Sequence, residues 1–173
     1  MVSSENKTIV MIGLMGAGKT SIGRRLAKEL QLPFVDIDQE IEKEQGLAVS
    51  EIFDLKGEKE FRDMELKTIK RVLEGPRQVM ATGGGAFIND EIRKLIKEKA
   101  ISVWLKADID VLVERVSRKN TRPLLEKGDK KAIMADLMAK RYPIYEEADI
   151  IVQSDDGPHN IVVDKIINKI RLD

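Results

Sequence analysis

The sequence predicts an α/β fold, a five-stranded parallel sheet between two layers of helices (three-layer α/β/α). Two observations carry that expectation. Short apolar runs rich in β-branched residues recur at Thr8 to Ile12, Pro33 to Ile37, Gln78 to Thr82, Ile101 to Leu105 and Asp149 to Val152, and they read as five buried strands. Segments with helical spacing alternate with them, at Ser21 to Leu30, Glu58 to Leu73, Asn89 to Lys99, Asp108 to Arg118 and Asp129 to Ala148. Strand and helix in alternation are the signature of a parallel sheet whose crossovers cover both faces.

The elements follow in order. The first strand runs into GLMGAGKT, which opens the first helix. Asn89 and Asp108 are suitable N-caps for the helices they precede. Two excursions break the alternation. Gln39 to Leu73 inserts the helical stretches AVSEIFDLKG and EKEFRDMELKTIKRVLE, with Ser50 and Gly57 as punctuation. Lys119 to Lys130, KNTRPLLEKGDK, mixes charge, Pro and Gly as a mobile loop does. In an open α/β sheet ligands bind beyond the carboxyl ends of the strands, where both excursions should emerge.

At 173 residues and 42% hydrophobic, the chain is expected to form one domain over residues 1–173 with a single core. Lys plus Arg (30) cancels Asp plus Glu (30), so there is no overall field to hold nucleic acid, and none is expected as a partner. Zero cysteines exclude disulfides and thiolate metal sites, and a lone His159 makes a histidine-built metal site or a histidine-activated nucleophile implausible. MVSSENK leads into an apolar run that glycines soon interrupt, so neither a secretory signal nor a membrane span is expected, and the cytoplasm is the expected compartment. No coiled-coil or apolar interface segment stands out, which favours a monomer.

Gly13, Gly18, Lys19 and Thr20 satisfy G-x-x-x-x-G-K-[ST] between a predicted strand and a predicted helix. Glycines let the backbone N–H groups turn toward phosphate oxygens, the helix start adds a positive dipole, and Lys19 brings a full charge to the β- and γ-phosphates. Thr20 can offer its hydroxyl to Mg²⁺. Asp36 and Asp38, two apart at the end of the second predicted strand, should project on the same side. One could hold the Mg²⁺ shell and the other could accept or orient an acceptor hydroxyl, while the plainer alternative is that one of them caps a helix starting near Gln39. No aspartate ends the third strand, so Asp36 is the better metal candidate. Gly83, Gly84 and Gly85 bring backbone close to something, either a ligand or a neighbour across a tight turn. Arg62, Arg122 and Arg141 lie in insertions or at helix-loop boundaries.

Taken together, GLMGAGKTSIGRRLA, FVDID, FRDME, ATGGG, NTRPLL and RYPIYEEAD resemble the shikimate kinase family, in its order and spacing, from Thr8 to the final helix. The resemblance implies a P-loop kinase fold of the nucleoside-monophosphate-kinase-like branch, with a substrate-binding insertion at about 39–73 and a lid at about 119–130. It implies ATP-dependent phosphorylation of the 3-hydroxyl of shikimate, giving shikimate 3-phosphate and ADP, with Mg²⁺, in the chorismate route to aromatic amino acids. By the same resemblance Lys19, Asp38 and Arg122 are catalytic, and Gly16, Ala17, Gly18, Lys19, Thr20, Ser21, Arg115, Arg122 and Pro158 bind ATP. Asp38, Arg62, Glu65, Gly83, Gly84, Gly85 and Arg141 bind the acceptor: Arg62 and Arg141 pair with its carboxylate and Glu65 steadies Arg62. Thr20 and Asp36 serve the metal. Gluconate kinase or a nucleoside-monophosphate kinase would share the phosphate loop and lid. A regulatory module switched by nucleotide occupancy would need neither Asp38 nor the acceptor arginines.

Overall fold

The computed structural model describes residues 6–119, 129–154 and 157–172, without the side chains of residues 119 and 172. Its elements are β1 (Thr8–Ile12), α1 (Lys19–Leu30), β2 (Phe34–Asp36), α2 (Ile37–Gln45), α3 (Val49–Lys56), α4 (Glu58–Glu74), β3 (Val79–Ala81), α5 (Asp90–Lys99), β4 (Ala100–Lys106), α6 (Ile109–Lys119), α7 (Lys130–Tyr145), β5 (Ile150–Gln153) and α8 (His159–Leu172). Among the described residues the five strands form one parallel sheet, ordered β2-β3-β1-β4-β5.

Every residue of β1 is buried, because helices cover both faces of the sheet. This strand is also where the order reverses. The chain goes from β1 to β2 on one side by way of α1, and later crosses from β3 to β4 on the other by way of α5, so the carboxyl end of β1 opens into the crevice where the connections change sides. The phosphate-loop sequence begins there.

Local chemistry decides the boundaries. Asn89 caps α5 as expected, its Oδ1 accepting from the backbone N–H groups of Glu91 (3.0 Å) and Ile92 (3.1 Å). Gly57 separates α3 from α4 with φ at 87°. Ser50, by contrast, opens nothing. The start of α3 is held by carboxylates, Glu51 Oε1 accepting from Ala48 N–H (3.1 Å) and Glu42 Oε2 from Val49 N–H (2.9 Å). The second strand also ends earlier than its apolar pattern suggested. Asp36 is the N-cap of α2, its Oδ1 accepting from Gln39 N–H at 3.1 Å, and Ile37 turns fully into the core as the first helical residue. Asp38 therefore stands in the first turn of a helix, and the expected two-residue alternation of Asp36 and Asp38 along a strand does not occur. α7 stops at Tyr145, short of the expected Ala148. Residues 120–128, with Arg122 and most of the expected lid, lie outside the described residues. Among the described residues no helix is long and apolar enough to cross a membrane.

Candidate active site

The loop after β1 is fixed by its carbonyls. Gly18 sits at φ 94°, a left-handed conformation that a side chain would strain, and it lets α1 begin directly at Lys19. Lys19 is buried and curls beneath its own loop, Nζ donating to the carbonyl oxygens of Gly13 (2.6 Å) and Leu14 (3.2 Å). From α6, Arg115 Nη1 donates to the Gly16 carbonyl (3.0 Å), and from beyond β5, Ser154 Oγ donates to that of Ala17 (2.9 Å). Fixed carbonyls fix the peptide planes they belong to. The loop is thus shaped in advance, and the first turn of α1 adds backbone donors and a positive dipole for an anion.

A cavity of about 210 Å³ lies against this loop, lined by Gly16, Gly18, Lys19, Thr20, Ser21, Arg115, Val116, Arg118 and His159. Six of these were legible as nucleotide-site candidates. Ala17 lies behind the loop, buried and tied to Ser154, and Pro158 is exposed while its neighbour His159 lines the cavity. Val116, Arg118 and His159 were missed, although Arg115 and Arg118 are three apart and so share a face of α6. Burial holds the His159 imidazole below its usual range, helped by Arg115 and Arg25, which favours its neutral form.

Thr20 Oγ1 donates to Asp36 Oδ2 at 2.9 Å, while the other Asp36 oxygen caps α2. The helix cap that the sequence offered as the plainer role is filled by one oxygen of Asp36, while the other faces the Thr20 hydroxyl. Among the described residues no cluster of three or more His, Cys, Asp or Glu could hold a metal by itself. A hydroxyl and a carboxylate beside an anion-binding loop are hard oxygen donors, and they fit Mg²⁺, which keeps its waters and takes phosphate oxygens for the rest of its shell.

Next to the phosphate loop, the turn after β3 carries Gly83, Gly84 and Gly85. Each glycine faces a different side chain from a different helix. A Cβ at Gly83 would lie 3.1 Å from Asp38 Oδ1 of α2, one at Gly84 3.0 Å from Arg141 Nη1 of α7, and one at Gly85 2.7 Å from Arg62 Cζ of α4. A side chain at Gly85 would displace the Arg62 guanidinium, and one at Gly83 or Gly84 would push the facing group back by a few tenths of an ångström. The Gly84 position is also 3.5 Å from the Gly13 carbonyl, so the two loops abut.

Glu65 supports this cluster from below. It is wholly buried; Oε1 accepts from Arg62 Nη1 at 2.8 Å, and Oε2 has no hydrogen-bond partner among the described residues. Arg62 lies over the rings of Phe53 (5.9 Å) and Phe61 (5.3 Å) and also meets Glu58 at 3.6 Å. Burial pushes the Glu65 carboxyl up to about 7; Arg62 opposes the rise, Asp38 adds to it and Arg141 opposes it. The sign for stability follows. Between about 4.5 and about 7 the folded protein keeps a proton that the unfolded chain has released, so stability falls as pH rises through that window and is level above it. In Glu65→Gln this fall should vanish, which urea unfolding at a series of pH values across the window will measure; an unchanged slope would exclude Glu65 as the titrating group.

Tyr145 was not anticipated. Its buried hydroxyl donates to the Gly84 carbonyl.

Known proteins fit this arrangement. The model of the shikimate kinase family matches residues 15–171. A shikimate kinase from Caulobacter vibrioides (strain NA1000 / CB15N) is 52% identical over 165 residues, covering 95% of this chain and 82% of that relative. Another, from Rhodopseudomonas palustris, is 50% identical over 162 residues, 94% of this chain and 80% of that one. Among solved structures, a shikimate kinase from Acinetobacter baumannii in complex with shikimate superposes with a TM-score of 0.93 at 33% identity, covering 98% of this chain and 95% of that one. With the phosphate loop from Met15 onward, the glycine turn and its three side chains inside the span that the family model matches, this chain belongs to the shikimate kinase family and is a kinase, a transferase.

Proposed function

We propose that the abutting loops carry in-line transfer of the ATP γ-phosphoryl group to the 3-hydroxyl of shikimate, giving shikimate 3-phosphate and ADP. The overall reaction, ATP-dependent phosphorylation of shikimate in aromatic amino acid biosynthesis, is that of the family. One observation carries the residue-level reading: the glycine turn gathers a carboxylate and two guanidinium groups around it and abuts the phosphate loop at Gly84.

A small anionic polyol fits that set. Arg62 and Arg141 pair with its carboxylate, since planar guanidinium groups match carboxylate geometry. Glu65 holds Arg62, and the backbone of the glycine turn contacts the ring. Asp38 accepts a hydrogen bond from the hydroxyl that attacks and takes its proton as the oxygen bonds to phosphorus. Lys19 exchanges the Gly13 and Leu14 carbonyls for the β- and γ-phosphates. Thr20 and Asp36 hold Mg²⁺, which when bound offsets phosphate charge. Arg115 and the segment from Pro158 to His159 flank the nucleoside. Arg122 enters this reading from the sequence alone, as a partner of the transferring phosphate. Positioning and charge stabilisation supply most of the rate, because the loose transition state of phosphoryl transfer leaves little covalent work to the protein.

The test is ADP release by purified protein with ATP and Mg²⁺. It should depend on shikimate and be near background with gluconate or AMP. Equal turnover with either would overturn the assignment of the acceptor.

A further inference from the structure

We propose that Arg118 is a further nucleotide-binding residue, which exchanges its carboxylate partner Glu114 for a phosphate oxygen of ATP or ADP. This rests on the reading above that the cavity beside the phosphate loop takes the nucleotide. Arg118 lines that cavity from α6, together with Gly16, Gly18, Lys19 and Arg115. It follows Arg115 by three residues, so both guanidinium groups stand on one face of the helix. Among the described residues that line the cavity, Lys19, Arg115 and Arg118 carry positive charge and none is a carboxylate. A wall charged in this way suits a polyanion.

The three cations are held differently. Lys19 Nζ donates to the Gly13 and Leu14 carbonyls, and Arg115 Nη1 donates to that of Gly16, so both shape the loop. Arg118 has no such task. It donates to Glu114 Oε1, one turn back on its own helix, and both side chains are largely exposed, 69% for Arg118 and 53% for Glu114. An exposed pair at this spacing contributes little, because water screens the charges and ordering two long side chains costs entropy. Leaving Glu114 therefore costs Arg118 little. A phosphate offers more charge than one carboxylate, with oxygens that the guanidinium fork can meet in pairs. Glu114, which does not line the cavity, thus competes with the nucleotide for Arg118.

The experiment is a cycle of Arg118→Ala, Glu114→Gln and the double variant, read by calorimetric titration with ADP, with adenosine and with shikimate. Both side chains are exposed, so neither substitution disturbs the core. Arg118→Ala should weaken ADP by roughly fivefold, the scale of one exposed charge-assisted contact, and leave adenosine and shikimate unchanged. Glu114→Gln should tighten ADP by roughly twofold, and that gain should vanish in the double variant. Wild-type ADP affinity in Arg118→Ala overturns the proposal and leaves Arg118 a surface arginine. Equal weakening of ADP and adenosine also overturns it, by placing Arg118 on the nucleoside. A gain from Glu114→Gln that survives in the double variant, or no gain at all, overturns the exchange. If ADP does not bind the parent protein, the nucleotide reading of the cavity falls, and this proposal with it.

Discussion

Lys19→Ala is expected to lower kcat by on the order of 10³-fold or more, roughly 4 kcal/mol of barrier. Two losses combine. The ammonium that would meet the developing charge on the transferring phosphate disappears from a buried site, where water screens it little. The loop also loses an internal tie, because Nζ holds the Gly13 and Leu14 carbonyls at 2.6 Å and 3.2 Å. Equilibrium titration with ADP and with ATP separates the two. A charge effect alone should spare ADP more than ATP, whereas a collapsed loop should weaken both alike. Turnover close to wild type would remove Lys19 from the chemistry.

Asp38→Asn should lower kcat by roughly 10² to 10⁴-fold, the range of a lost general base, with ATP KM nearly unchanged. The substitution is close to isosteric, and the helix it belongs to is capped by Asp36 rather than by Asp38, so α2 should form as before. A companion effect checks the electrostatics. The Asp38 charge helps hold the Glu65 carboxyl up, so in Asp38→Asn Glu65 should ionise at lower pH and the stability window described above should narrow from its upper end. A kcat within about twofold of wild type would mean that the hydroxyl proton goes elsewhere.

How much of this was readable in the residues varies with the distance over which each contact acts. The sheet, the phosphate loop and the Asn89 cap rest on local pattern, and all three stand in the structure. Asp36 and Asp38 were singled out as neighbours on one strand, but the strand period was extended too far; the capping hydrogen bond from Gln39 N–H to Asp36 outcompeted it. The three glycines announced a close approach without saying to what. Their neighbours Asp38, Arg62 and Arg141 come from three separate helices, and the spacing within a strand end cannot encode that. Tyr145 was not singled out, for the same reason. His159 entered the sequence reading only as too few histidines for a metal site, since its place in the cavity beside Arg115 depends on two helices far apart in the chain.

The ties of the phosphate loop have a consequence for how the protein comes into being. A ribosome supplies the loop well before the donors that hold its Gly16 and Ala17 carbonyls, which arrive 99 and 137 positions later. Contacts of such long sequence separation form late and slowly. A nascent chain halted before α6 therefore carries the whole phosphate-binding motif without either of the two donors that fix its Gly16 and Ala17 carbonyls.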